Sequence, residues 1–233
     1  MTNVPDIDWF RALLTASVET EERNPAPLLK WRARARARVR FESELVGLNE
    51  LDGWKAEERT GNIVHRSGQF FAVEGLRTTA HGLREVNYWD QPILTQKEGG
   101  VLALVCKRDG PVVLFLLQAK AEPGNIGTLQ FTPTIQCTWS NLKRAHKGRK
   151  PPLADVILGK TPGRLVYAAE HNEEGGRFWR KTNSNRIILL DGDDEDLDYD
   201  PDHFVWASLS QIKALALIDN VLSPFVKTII APL

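Results

Sequence analysis

The chain has 233 residues, 42% apolar and 26% charged, with 30 Lys plus Arg against 30 Asp plus Glu. These are ordinary globular values, and a zero net charge supplies no global field to draw nucleic acid or a membrane surface. Two cysteines, Cys106 and Cys137, make neither a zinc pattern nor a disulfide framework and suit a reducing compartment.

No basic-then-apolar leader opens the sequence, and no run approaches the roughly 20 apolar residues of a membrane span. A cytoplasmic location is the expectation.

Apolar groups at Phe10, Leu13, Leu14 and Val18 recur at helical spacing and predict a helix over 7–18. Asn24-Pro25-Ala26-Pro27 ends it. The alternating Ala and Arg of Lys30 to Arg40 predict a second helix. Its arginines, two apart, fall into two stripes, which reads as a solvated or acid-paired face rather than a phosphate patch. Residues 1–40 are therefore expected to be a helical extension ahead of a single module at 41–233.

Leu51-Asp52-Gly53-Trp54 and Thr60-Gly61-Asn62 read as turns, and Phe70 to Val73 as a short strand. Val101 to Lys107 and Val112 to Leu117 predict a hairpin across Arg108-Asp109-Gly110. Leu165 to Ala169 and Arg186 to Leu190 predict two more strands. Asp191 to Asp202 is an acidic loop without the glycine and closing glutamate of a calcium loop, and it reads as solvated. Ser208-x-x-Gln211 is a capping box that opens a helix through Leu209, Ile212, Leu215 and Ala216. The apolar tail, Phe225 to Ile230, reads as a last strand or a dimer contact. With strands in the middle and helices at the ends, the class is α+β.

Three polar constellations carry the chemistry. The first is Arg84-Glu85-Val86-Asn87-Tyr88-Trp89-Asp90-Gln91-Pro92, where arginine beside aromatic rings suits a ligand with a phosphate and a flat ring. The second starts at Gln118-Ala119-Lys120-Ala121-Glu122-Pro123-Gly124-Asn125, read as a polar loop leaving a buried strand. It continues through Gln130, Thr134, Gln136, Ser140, Asn141 and His146. Repeated amides suit a neutral polar ligand, and His146 is a candidate acid or base. The third is Glu170 to Lys181, whose Gly175-Gly176 pair permits close backbone approach. His65, His81 and His203 have no companions, and no zinc spacing, phosphate loop or nucleophile elbow is present.

Together these clusters resemble the sugar-nucleotide 2,3-dehydratases, which act on 4-keto-6-deoxyhexoses. The similarity runs over about residues 41 to 220. It rests on Gly53-Trp54, Thr60-Gly61, His65, Ser67-Gly68, Phe70-Phe71, Arg84-Glu85-Val86 with Trp89, Gln91 and Pro92, the Gln118 to Asn125 segment, Pro133-Thr134-x-Gln136 with Ser140-Asn141, and Glu173 to Phe178.

The resemblance implies a Nudix-like fold with a mixed sheet between helices, a thymidine-diphosphate sugar ligand, a homodimer and no cofactor. That fold also brings metal-dependent pyrophosphate hydrolysis as a rival function, and the residues speak against it. Where a metal-dependent hydrolase of that fold needs paired glutamates, Tyr88 and Trp89 follow Arg84-Glu85, which leaves no hard oxygen cage.

On this reading Lys120 polarises the C4 ketone beside Gln118, and Glu122 or His146 is the base, with Glu173 or Glu174 in reserve. Arg84 and Arg177 hold the diphosphate, and Trp89 or Phe178 stacks on thymine. Gln91, Asn125, Gln130, Thr134, Gln136, Ser140 and Asn141 bond the substrate. The chain departs from the family pattern in carrying one module where two in tandem are usual. It has Leu142 where a tyrosine is common, and Asn220-Val221-Leu222-Ser223-Pro224 in place of an Asn-Met-Asp-x-Arg element. Two alternatives follow: a single-module enzyme acting on another natural-product scaffold, or a non-catalytic protein that binds the sugar nucleotide.

Overall fold

A computed structural model describes residues 7–82, 84–142, 151–192 and 197–233. The chain divides into two compact units, Met1–Ser43 with Gly100–Glu170 and Ser184–Leu233, and Glu44–Gly99 with His171–Asn183. In chain order the elements are α1 (Asp8–Val18), α2 (Ala26–Arg38), β1 (Trp54–Ala56), β2 (Ile63–His65), β3 (Ala72–Thr79), β4 (Tyr88–Thr95), β5 (Gly100–Asp109) and β6 (Val112–Ala121). They continue with β7 (Leu129–Thr132), β8 (Ile135–Thr138), α3 (Trp139–Leu142), α4 (Ala154–Ile157), β9 (Gly163–Asn172), β10 (Thr182–Leu190), β11 (Phe204–Ser208), α5 (Leu209–Leu215) and α6 (Pro224–Ile230).

The first unit is built on a sheet of order β11-β6-β5-β10-β9, with β7 added to β6 and β8 to β5. Period-2 alternation sends its side chains into two cores. Leu102, Leu104 and Cys106 of β5, Phe115 and Leu117 of β6, and Ile187 and Leu189 of β10 join α1, α5 and α6. Ala103, Val105, Leu116, Ile188 and Leu190 face the other way, against Leu153 and Val156. A sheet apolar on both faces needs cover on both, and helices supply it. The α+β class holds.

The hairpin forms as expected, but its turn is Gly110-Pro111, because Asp109 pairs with Val112. Gly110 takes φ +56, and proline fixes a negative φ after it, the sign pattern of a type II′ turn. The capping box also forms: Gln211 N–H donates to Ser208 Oγ and Ser208 N–H to Gln211 Oε1, each at 3.1 Å.

Three expectations are corrected. The tail is a helix, not a strand. Ser223 Oγ accepts from Phe225 N–H at 3.2 Å, Pro224 occupies the first turn where its missing donor costs nothing, and Val226, Ile229 and Ile230 are buried at helical spacing. The strand expected at Phe70 starts at Ala72 and runs to Thr79, because β4 pairs along its whole length. The segment from Gln118 to Ala121 is strand rather than loop, since β7 pairs across it.

The Arg-rich helix is used structurally. Trp31 stacks on Phe131 at 6.0 Å, and Arg32 Nε donates to Leu129 O at 2.8 Å. Arg36 reaches Thr128 Oγ1 at 3.4 Å, and Arg38 pairs with Asp202. Burial lowers the pKa of Arg32.

The second unit is an antiparallel meander, β1-β2-β3-β4. The 171–183 segment meets β4 through Leu94 N–H to Arg177 O and Trp179 N–H to Leu94 O, both 2.8 Å. Among its described residues, Ile93 is the one apolar side chain that is fully buried. No helix among the described residues of the chain is long and apolar enough to cross a membrane.

Candidate functional site

In the first unit, β6 puts Gln118 and Lys120 on one face of the sheet, alternating with buried Leu117 and Ala119. Lys120 pairs in register with Gln130, and Gln118 with Thr132. Glu122 follows two residues after Lys120. Its Oε1 lies 2.8 Å from Lys120 Nζ, with the two side chains 31% and 38% exposed. The same oxygen accepts from Gln136 Nε2 at 3.3 Å, which brings the acid, the cation and an amide together. An ion pair this open contributes only ~0–1 kcal/mol to stability, so the fold does not depend on it. A half-exposed cation beside a carboxylate suits chemistry on a polar ligand.

Other expected site residues of this unit serve the framework. Thr134 is 1% exposed. Its hydroxyl donates to Leu116 O and accepts from Val105 N–H at 2.9 Å. That clamp sits where β5 changes partner from β8 to β6. Asn125 closes the 122–128 loop: its N–H donates to Glu122 O at 3.1 Å, and Nδ2 donates to Thr128 O at 3.2 Å. Ser140 Oγ lies 2.9 Å from Thr138 Oγ1, which also accepts from Asn141 N–H at 3.3 Å. His146 lies outside the described residues.

The second unit brings the first and third constellations together. Gln91 Nε2 donates to Gly176 O at 2.9 Å, and Trp89 Nε1 donates to Gln91 Oε1 at 2.8 Å. The Arg84 guanidinium lies 5.7 Å from the Trp89 ring and its Nε 3.7 Å from Glu85. Arg177 is paired to Glu174 at 3.4 Å. Glu173 is the shielded acid. It meets Lys181 at 3.5 Å, with side chains 13% and 12% exposed, and accepts from Asn183 Nδ2. Lys181 in turn sits 4.7 Å over Phe178. The expected diphosphate and ring-stacking groups are thus engaged with protein partners.

A cavity of about 730 Å³ in the second unit is lined by His65, Phe70, Phe71, Trp179 and several charged side chains. Its sequence signal was present: two adjacent phenylalanines after Ser67-Gly68, too polar in context for a core strand. Among the described residues, no group of three His, Cys, Asp or Glu is placed to hold a metal ion.

The comparisons bear on this arrangement. A family model for NDP-hexose 2,3-dehydratase matches residues 25–233. The chain belongs to the NDP-hexose 2,3-dehydratase family. Curated relatives named dTDP-4-dehydro-6-deoxy-alpha-D-glucopyranose 2,3-dehydratase include one from Saccharopolyspora spinosa, 36% identical over 86% of this chain and 40% of its own length. Another, from Streptomyces violaceoruber, is 32% identical over 99% of this chain and 51% of its own length. A third, from Amycolatopsis orientalis, is 35% identical over 91% and 45%. The chain therefore spans about half the length of the curated relatives it matches. A solved C. elegans Ap4A hydrolase overlaps at TM-score 0.32 and 12% identity, over 52% of this chain and 88% of its own. The 2,3-dehydratase family match covers the Lys120–Glu122–Gln136 cluster and the whole second unit.

Proposed function

We propose that this chain is a sugar-nucleotide 2,3-dehydratase acting on a dTDP-4-keto-6-deoxyhexose in deoxysugar, natural-product biosynthesis. Family membership supports the reaction class. The observation that carries it to particular residues is the Lys120–Glu122–Gln136 cluster.

The C4 ketone acidifies the C3 proton. Glu122 takes that proton, the electrons move into the C3–C4 bond, and the C4 oxygen becomes an oxyanion. Lys120, with Gln118 on the same strand face, donates to that oxygen. The C2–O bond then breaks as the enolate collapses, and protonated Glu122 returns its proton to the departing hydroxyl, which leaves as water. The resulting enol tautomerises to the 3,4-diketo-2,6-dideoxy sugar. Every atom balances without an oxidant or reductant. Gln136 holds Glu122 in place from β8.

A cytoplasmic location fits the two free cysteines. A homodimer is the expected assembly, since two-fold dimers are the commonest soluble oligomers.

The test is turnover. The purified protein is incubated with dTDP-4-keto-6-deoxyglucose, and the labile diketone is trapped with a 3-ketoreductase and NADPH. Protein-dependent NADPH oxidation is expected. Binding without oxidation would overturn the catalytic reading in favour of a sugar-nucleotide-binding protein.

A further inference from the structure

The cavity in the second unit has a built floor and wall. Register places Lys55 opposite Val64 and Ala72 opposite Thr95, with Glu74 opposite Ile93. Val64, Ala72, Glu74 and Thr95 thus line the sheet side of the cavity, and Lys55, Arg66 and Lys97 stand around it. The volume, about 730 Å³, falls within the roughly 300–1,000 Å³ of small-molecule sites.

The wall is aromatic, and it is braced. Phe70, Phe71 and Trp179 are 56%, 36% and 45% exposed, yet each ring has a support behind it. Phe71 packs on Trp54 at 4.9 Å, Phe70 meets the edge of His65 at 4.5 Å, and Arg180 lies 4.7 Å over Trp179. His65 is itself fixed: its Nδ1 accepts from Ser67 N–H at 3.2 Å and lies 2.8 Å from Ser67 Oγ, with Nε2 turned to Gly53. A Cβ on Gly53 would sit 2.5 Å from that Nε2, so the close packing requires glycine there. Gly53-Trp54, His65, Ser67 and Phe70-Phe71, otherwise scattered motif pieces, are one device that presents ring faces to solvent. Rings held rigid but left uncovered form a ready binding surface, because little freedom remains to be lost on binding.

The charges are asymmetric in their commitments. Glu74 accepts from Thr95 at 2.5 Å, and Glu57 accepts from Thr60 at 2.8 Å. Arg66 approaches Asp52 only at 3.8 Å. Lys55 and Lys97 make no ion pair among the described residues. Two of the three lining acids are thus held by hydroxyls, Glu98 being the third, while Lys55 and Lys97 are left to meet an anion.

We propose that this cavity is a binding site for a nucleoside diphosphate group, its base against Phe71 and Trp179 and its phosphates on Lys55, Arg66 and Lys97. The choice of nucleoside diphosphate over other ring-bearing anions rests on the sugar-nucleotide reading above. It differs from the residue-level expectation, which gave the phosphates to Arg84 and Arg177 and the base to Trp89 and Phe178.

Calorimetry with thymidine diphosphate, which has no sugar to dehydrate, tests the site apart from catalysis. Wild-type protein should bind it. The Lys55→Ala/Lys97→Ala double variant should weaken both thymidine diphosphate and inorganic pyrophosphate about tenfold or more. Phe71→Ala should weaken thymidine diphosphate about tenfold and leave pyrophosphate unchanged. Both lysines are exposed and Phe71 is partly so, and matching circular dichroism and melting curves confirm that the variants fold. Unchanged affinity in both variants overturns the site, as does wild-type protein that turns over sugar nucleotide but ignores thymidine diphosphate. Cavity-dependent binding without turnover supports the site and removes the dehydratase assignment instead.

Discussion

At the scale of single residues, the assignment separates two roles that one ion pair combines. Lys120 Nζ and Glu122 Oε1 are 2.8 Å apart, yet in the proposed mechanism one stabilises an oxyanion and the other moves a proton. Lys120→Ala removes the charge proposed to meet the C4 oxygen, and kcat should fall by about 10²–10³-fold. Glu122→Gln keeps the shape and loses the base, with an expected fall of about 10²–10⁴-fold. Coupled NADPH oxidation reads both. Either variant at full activity removes that residue from the mechanism.

Asp200 gives a pH-dependent case. Its carboxylate accepts from Asp202 N–H and from His203 Nδ1, each at 2.8 Å. The Asp202 backbone bond first, then His203, holds its pKa below the usual carboxylate value. The native state therefore binds fewer protons here than the unfolded chain. The turn's support is fully present above the ordinary aspartate range and is lost as pH falls through the depressed native value. Carboxyl-carbon NMR should show Asp200 titrating below the exposed aspartates. Titration at or above their range would contradict the hydrogen-bonded turn.

At the scale of elements, junctions matter more than the strands they join. Thr134 supplies the hydroxyl that bridges Val105 N–H and Leu116 O where β8 gives way to β6 beside β5. Thr134→Val preserves shape but leaves two buried backbone groups without a partner. Urea unfolding should show a loss of about 1–3 kcal/mol with an unchanged m-value, and a neutral result would remove the clamp. This role was not legible in the sequence, where Thr134 sits in a polar run that reads as ligand-binding. A hydroxyl that patches a change of strand partner leaves no periodic trace.

The Gln118–Ala121 error has the same origin. Whether a polar run is loop or strand is decided by β7 pairing with it eleven or so residues later, and local pattern cannot see that partner. The α1 spacing, the hairpin and the Ser208-x-x-Gln211 box were legible because their causes lie within a few residues of one another. The tail was legible only as apolar. Its helical state turns on the Ser223-Pro224 start and the 226, 229, 230 spacing, which the strand reading ignored.

At the scale of the whole molecule, the two units differ in how they are held. The first buries apolar side chains on both faces of a long sheet. The second has β3 and β4 paired over eight positions but only Ile93 fully buried among its described apolar residues. Stability follows burial, so regions poor in buried contacts open at lower free energy than the core. Amides of β3 and β4 should exchange with deuterium through local opening, well before those of β5, β6 and β10, which should exchange near the global limit. Equal protection in the two sets would contradict this. The same experiment with thymidine diphosphate links stability to the proposed cavity. A ligand at about 100 times its Kd stabilises the form it binds by about 2.7 kcal/mol. That gain should appear first in β1 to β4, whose side chains line the cavity, and a tenfold weaker Lys55→Ala/Lys97→Ala variant should keep only about 1.4 kcal/mol of it at the same ligand concentration. A thinly packed unit holding exposed, braced rings is then a site whose last increment of stability comes from the ligand.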